Sequence, residues 1–279
     1  MLMQRLLAAL VLIPIVLIAL FFLPITFFVG LVIIICGLGV WEWTQFLSVN
    51  SPIIRRYCVI ISTMLLMVIY YLLPNHLVYL LFDYALILGF CWWLSALVLV
   101  TTYPKSAKFW ENSCFLKGLF GFCTLFPFFG GMIILRSISY ENNPYFGAFV
   151  LLYVLILIWA TDTGAYFVGR MCGKHKLASK VSPGKTVEGL IGGVITAMLI
   201  AAVTIHFFYN DISFGKLMII SLITILASAL GDLTESMFKR TAGIKDSGTL
   251  IPGHGGILDR IDSLTSAVPL FTALLLIIQ

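Results

Sequence analysis

The chain alternates long apolar runs with short polar segments, and the runs have the lengths that a lipid bilayer requires. A transmembrane helix needs about 20 predominantly apolar residues. Charged residues, Pro and Gly mark the ends of the runs. The pattern predicts an all-α fold, a polytopic membrane helix bundle of about nine transmembrane helices. These are expected at 6–23, 25–47, 56–73, 77–101, 115–137, 144–169, 187–209, 216–238 and 264–279.

Two features inside the apolar runs refine this prediction. The fifth run contains PFFGG at 127–131, a sequence that predicts a kink or a break. The first run has no small-residue cleavage site after it, so we interpret it as a retained first span rather than a secretory signal.

Composition agrees with a membrane protein and excludes a large soluble domain. The 279 residues are 61% hydrophobic and 10% charged, against about 45–50% and 25% in soluble domains. The six cysteines form no CxxC pair, which argues against a zinc site or a disulfide framework. The net charge of +5 is modest, and the basic residues do not form a polar surface for nucleic acid.

The distribution of basic residues predicts the orientation. With a cytoplasmic N-terminus and nine alternating spans, only Arg136 and Lys216 of the 17 basic residues lie outside. The two long polar loops, 170–186 and 239–263, then face the cytoplasm, where nucleotides are. We expect 1–137 to form a scaffold or oligomerisation region and 138–279 to form the catalytic region.

The stretch 231–263 carries far more charge than a bundle needs for internal pairing. Asp232, Glu235 or Ser236, and Lys239 recur at helical spacing and therefore share one face. Asp259 and Asp262 follow a glycine-rich loop. Carboxylates at these two places could converge on a hard cation, since Mg²⁺ takes one or two carboxylates plus substrate phosphates.

Two further segments carry polar residues that could complete a site. Asp162 interrupts an apolar helix, where an ionised carboxylate is costly unless it is paired or binds a cation. The loop 171–193 carries Lys185 and a predicted turn at Ser182-Pro183-Gly184 before a glycine-rich helix start, an arrangement suited to phosphate. Its GKT triplet is not a P-loop, because Ser179 stands where the first glycine is needed and no strand is expected before it.

Acids together with lysines and arginines suit phosphoryl or nucleotidyl transfer, in which negative charge must be neutralised. No Ser or Cys nucleophile with a His base is apparent, which favours direct attack by a substrate oxygen. An ion-coupled transporter using Asp162 and Asp232 is the alternative from another class. Transporters often show internal repeats, and none is visible here.

Residues 236–262, SMFKRTAGIKDSGTLIPGHGGILDRID, resemble the signature of the phosphatidate cytidylyltransferase (CDP-diacylglycerol synthase) family. The likeness extends upstream through DTGAYFVGR and SPGKTVEG, with Val187 departing from an expected aromatic residue. It implies transfer of CMP from CTP to phosphatidic acid, giving CDP-diacylglycerol and pyrophosphate in phospholipid biosynthesis. A sister CTP-dependent lipid enzyme with another acceptor is a further alternative.

The resemblance also implies Mg²⁺ dependence, with K⁺ as a second ion, and a location in the bacterial inner membrane with the site facing the cytoplasm. Membrane lipids surround the chain, and a homodimer is one option for its assembly. The expected catalytic residues are Asp232, Lys239, Asp246, His254, Asp259, Arg260 and Asp262. The expected substrate-binding residues are Ser182, Lys185, Thr186, Glu188, Ser236, Arg240, Lys245, Gly255 and Gly256. The expected metal ligands are Asp162, Asp232, Asp259 and Asp262.

Overall fold

A computed structural model of the chain describes residues 2–49, 51–208, 213–250 and 255–278, with side chains described from Leu12 onward. Helices dominate these ranges, as predicted, and a short β-hairpin is the addition. The elements in chain order are α1 Leu2–Phe21, α2 Ile25–Phe46, α3 Pro52–Met67 with a π-helical turn Val68–Leu72, α4 Asn75–Thr101, α5 Ala107–Trp110, α6 Cys114–Ser137, α7 Phe146–Cys172, β1 Lys176–Ala178, β2 Ser182–Thr186, α8 Val187–Phe208, α9 Phe214–Thr241 and α10 Leu258–Ile278.

Where the structure describes them, the predicted apolar runs fall on helices. Within the described ranges, eight helices are long and apolar enough to cross a bilayer, and α1 adds a shorter apolar stretch, Leu12–Phe21. The chain is therefore an all-α polytopic membrane protein. The most apolar stretches of α6, α7 and α10 are mostly buried inside the bundle, whereas α3 has few buried residues and presents an apolar surface suited to lipid.

Close helix packing depends on small residues. Helix α7 lies against α8 where Gly164 faces Thr196 and Gly193 faces the carbonyl of Thr161. Such small residues let helix backbones approach closely in membranes. In α6, Pro127 packs on Gly89 of α4, and Gly131 packs on Val268 of α10. The helix continues through 127–131, so the predicted break is absent, while the predicted kink stays a prediction. Gly131 serves helix packing.

The structure moves two boundaries at the polar end of the bundle. Helix α9 continues to Thr241, and α10 begins at Leu258, six residues before the predicted span. Asp259, Arg260 and Asp262 therefore lie in the first turns of a helix rather than in the loop. Helix α9 has 28 residues, or about 42 Å, so it exceeds a hydrocarbon core of about 30 Å.

The segment after α7 forms an antiparallel hairpin in which Lys176 pairs with Thr186 and Ala178 with Ser182. Ser182, Pro183 and Gly184 lie in β2, so the predicted turn there was wrong. The turn lies at 179–181, where the Val181 N–H donates to the Ala178 carbonyl at 3.0 Å. The GKT triplet is part of a strand, preceded by a short strand that the sequence did not predict, and not a glycine-rich phosphate loop.

Candidate active site

The two polar segments that the sequence singled out meet at one end of the bundle. Lys185 on β2 forms an ion pair with Asp232 on α9, through Nζ and Oδ2, and about 30% of each side chain is exposed. The hairpin is also attached to α9 by Arg240, whose Nε donates to the Val181 carbonyl at 3.1 Å. The two predicted loops therefore contribute to one site.

A cavity of about 410 Å³ lies between α7, the hairpin, the start of α8 and α9. Asp162, Arg170 and Lys185 contribute its charged lining. Asp162 interacts electrostatically with Asp232, Lys185 and Arg260. The intramembrane acid of α7 thus belongs to the same charged cluster, and the cavity is large enough for part of a nucleotide or lipid head group.

Asp262 brings α10 into this cluster. Its carboxylate interacts electrostatically with Asp232 and Lys185, and its Oδ1 accepts the Ser263 N–H at 2.7 Å. Asp232 receives a long hydrogen bond from the Ser236 hydroxyl at 3.4 Å. Three acids from three helices, Asp162, Asp232 and Asp262, therefore belong to one charged cluster with Lys185, which contacts Asp232 directly.

Asp259 has a different environment, because protein donors occupy both of its oxygens. Its Oδ1 accepts from Lys239 Nζ at 2.7 Å, while its Oδ2 accepts from the N–H groups of Ser247 at 2.9 Å and Gly256 at 2.8 Å. Lys239 also pairs with Glu235 at 2.7 Å. Asp259 thus joins α9, α10 and both ends of the connecting loop.

Backbone conformation at position 255 and close packing at positions 255 and 256 require glycine. Gly255 has φ of +81°, a left-handed backbone that favours glycine, and a Cβ there would lie 2.6 Å from Asp259 Oδ2. Gly256 is buried beside the Glu42 carboxylate.

Three further predicted residues are exposed at the same end of the bundle: Lys245, Asp246 and Arg260. His254 lies outside the described residues.

Thr186 and Glu188 organise the start of α8. The Thr186 hydroxyl accepts the Gly189 N–H at 3.1 Å, a helix N-cap arrangement. Glu188 accepts the N–H groups of Lys174 and His175 and contacts His175 Nδ1 at 2.6 Å. Their role as substrate-binding residues stays a prediction, as does that of Ser182, and the bonds shown order the hairpin.

Glu42 is the residue of this region that the sequence interpretation missed. It lies near the end of α2, is fully buried, and accepts hydrogen bonds from the Ser247 hydroxyl and the N–H groups of Ile257 and Leu258 at 2.8 to 2.9 Å. The sequence held a signal, since an acid between Trp41 and Trp43 in an apolar run is as costly as Asp162. The cost of burying a charge, which drew attention to Asp162, would also have identified Glu42 as a candidate site residue.

Residues 3–278 match the sequence profile of the Cytidylyltransferase family. The chain belongs to this family. It is 50% identical to the phosphatidate cytidylyltransferase of Haemophilus influenzae, with 98% of each chain covered. It is 41% identical to the phosphatidate cytidylyltransferase of Pseudomonas aeruginosa, covering 99% of this chain and 97% of the relative. The phosphatidate cytidylyltransferase of Staphylococcus saprophyticus is 39% identical over 66% of this chain.

The carboxylate groups of the site are the possible ligands of a metal ion. Among the described residues, no three His, Cys, Asp or Glu side chains form a group that could hold a metal alone. Glu235 Oε1 is nevertheless buried without a hydrogen-bond partner in that part of the chain, and Asp262 interacts with Glu235. The donors fit a cation that substrate oxygens help to bind, as Mg²⁺ commonly requires.

Proposed function

We propose that this chain is a phosphatidate cytidylyltransferase, which transfers CMP from CTP to phosphatidic acid and releases pyrophosphate. The observation that carries the proposal is the contact of Lys185 with Asp232 beside the Asp162 cavity. It joins a basic hairpin to acids from three membrane helices. Family membership and the names of the relatives support the same activity.

The chemistry follows from the charges of the substrates. A phosphate oxygen of phosphatidic acid attacks the α-phosphorus of CTP, the bond from that phosphorus to the bridging oxygen breaks, and pyrophosphate leaves. A phosphate monoester is already largely ionised at neutral pH, so no strong general base is required. Lys185, Arg170 and Arg260 bind phosphoryl oxygens and hold the two anionic substrates together. Lys239 orients Asp259 and Glu235 rather than binding phosphate.

Mg²⁺ is the expected cofactor, and Asp232 and Asp262 would hold it, with Asp162 close by. When bound, it would neutralise triphosphate charge that the lysines and arginines do not cover. Asp259 as a ligand stays a prediction, because Lys239 and two backbone N–H groups already occupy its oxygens. The buried Glu235 Oε1 suits the second ion, K⁺.

An apolar groove next to the polar cavity supports a lipid acceptor. It has a volume of about 700 Å³ and lies between α4, α9 and the hairpin, with Trp93, Leu97 and Leu230 in its lining. Leu177 and Leu190 border both the groove and the polar cavity. Acyl chains in the groove would leave the phosphate of the lipid at the charged cluster.

We further infer that the protein resides in the bacterial cytoplasmic membrane with the site facing the cytoplasm. The supporting observation is the concentration of lysines and arginines in the segments on that side. CTP is a cytoplasmic nucleotide, which agrees with this orientation. A homodimer stays a prediction.

The test is transfer of labelled CMP from CTP to phosphatidic acid by the purified full-length chain in detergent. We expect activity that a chelator abolishes and that added Mg²⁺ restores. CTP should be preferred over ATP and GTP, and dCTP shows how strictly the ribose is recognised. Glu141→Gln, a change in an exposed loop at the opposite end of the bundle, should keep full activity. Transfer to a polyprenol or an isoprenoid ether lipid instead of phosphatidic acid would contradict the proposal.

A further inference from the structure

Glu42, a buried acid from the N-terminal half, contacts both ends of the loop between α9 and α10. It lies outside the charged cluster, yet the loop that it contacts leads into α10, which carries Asp262. Glu42 has no exposed surface. It lies more than 200 residues before its partners: its Oε2 accepts the Ser247 hydroxyl and the Leu258 N–H, both at 2.8 Å, and its Oε1 accepts the Ile257 N–H at 2.9 Å. One carboxylate therefore bridges both ends of the loop that carries Lys245 and Asp246.

The neighbours of Glu42 strengthen this arrangement. Gln45, one turn further along α2, donates from Nε2 to the Ser247 carbonyl at 2.5 Å. Gly248 and Gly256 both pack against the Glu42 carboxylate so closely that a Cβ at either position would overlap it. The loop backbone is thus built around this side chain, and the acid of α2 is an internal part of the loop base.

The hydrogen bonds to Glu42 also fix the start of α10. The N–H groups of Ile257 and Leu258 stand at the start of the helix, where backbone donors lack partners within the helix. A buried carboxylate at this end satisfies them and interacts favourably with the helix dipole. The first two turns of α10 carry Asp259, Arg260 and Asp262. Where α10 begins, and how its acids are oriented toward Asp232, therefore depend on Glu42.

We propose that Glu42 is a positioning residue for the cytidylyl transfer: it sets the start of α10 and closes the base of the loop 242–257, and so aligns Asp262 with Asp232 and Lys185. The inference rests on the proposed function for its kinetic consequence. Glu42 itself touches neither substrate nor metal. Misalignment by about 1 Å can reduce a rate by about 100-fold, so a positioning residue can have a large kinetic effect without taking part in the chemistry.

The first variant is Glu42→Gln, which keeps size and one carbonyl oxygen but sets an NH₂ group against N–H donors. We expect kcat of the folded enzyme to fall by about 10-fold or more. Backbone hydrogen exchange should rise at Ile257 or at Leu258, because one of these two N–H groups then faces the NH₂ group and loses its acceptor. It should rise less at Ser247, whose N–H donates to Asp259 instead. Glu141→Gln is the matched control and should change neither quantity.

A second variant separates positioning from general stability. Ser247→Ala removes the hydroxyl that donates to Glu42 and should lower kcat and raise exchange at Ile257 and Leu258 in the same direction. If the two residues act through one contact, the double variant should lose less than the product of the single losses. Ser247→Ala also carries the test if Glu42→Gln cannot be obtained folded.

The outcomes distinguish this inference from the proposed function. If the unchanged protein transfers no CMP to phosphatidic acid, the proposed function is wrong, while the exchange measurement still reports on the loop base. If the unchanged protein is active and folded Glu42→Gln keeps kcat within about 2-fold, the positioning role is overturned. A lower melting temperature with unaltered kcat in the folded fraction overturns it equally, because Glu42 would then only stabilise the fold.

Discussion

Asp232 and Asp259 are both acids that the resemblance assigns to metal binding, yet their surroundings differ. Asp232 is partly exposed, contacts Lys185 and receives one long hydrogen bond from Ser236. Asp259 is mostly buried and accepts three short hydrogen bonds, from Lys239, Ser247 and Gly256. The carboxylate of Asp232 is thus accessible to a further partner, whereas protein donors occupy both oxygens of Asp259.

The difference matters because a carboxylate can exchange one exposed partner for a cation far more easily than three buried ones. Removing a buried charged partner leaves donors unsatisfied. We therefore expect Asp232 to bind a cation or a substrate-bound metal while Lys185 moves to phosphate. Asp259 is expected to act through the structure that it organises. Substitutions at the two positions should separate activity from stability.

The largest effect is expected for Asp232→Asn, which removes the open carboxylate charge and keeps the size of the side chain. We expect CMP transfer to fall by about 1,000-fold, the scale of losing a key electrostatic group. The melting temperature should change little, because Asp232 is partly exposed. Steady-state transfer and thermal unfolding in detergent measure the two quantities, with Glu141→Gln as control. An active Asp232→Asn enzyme would remove this residue from the metal site.

The next largest effect is expected for Asp259→Asn, which should lower both stability and activity. Breaking a buried ion pair costs about 3–5 kcal/mol, and the Lys239 ammonium would keep Glu235 as its charged partner. Activity should fall by about 10- to 100-fold, as for residues that orient a site. The melting temperature and kcat, measured on the same preparation, show whether stability and activity fall together. Strong loss of activity at an unchanged melting temperature would instead favour direct metal binding by Asp259.

The smallest effect is expected for Ser236→Ala. Its hydroxyl reaches Asp232 at only 3.4 Å, at the outer limit of a hydrogen bond. Transfer activity and its Mg²⁺ dependence should stay within about 2-fold of the unchanged protein, since weak bonds contribute little. A 10-fold loss or a shifted Mg²⁺ requirement would show that Ser236 touches the metal or a substrate directly.

The N-terminal half illustrates why part of the site could not be predicted. Sequence spacing can relate residues on one helix, as it did for Asp232 and Lys239, but it gives no distance between α2 and α10. The sequence therefore could not place Glu42 beside the start of α10. The contacts of Glu42 with Ser247 and Leu258 show that residues 1–137 contribute directly to the base of the loop between α9 and α10. The division at 137 stays a prediction.

The sequence by itself determined which segments cross the membrane and which polar segments belong to the site. Apolar run length and the cost of burying charge are local properties of the chain, so they can be recognised without coordinates. The tertiary structure decided where α10 begins, how 176–186 folds into a hairpin, and which oxygens remain available to a cation. The start of α10 depends on Glu42 of α2, which accepts the Leu258 N–H, and the oxygens of Asp259 are occupied in part by Lys239 of α9, which donates to them. Only folding brings these residues within hydrogen-bond distance.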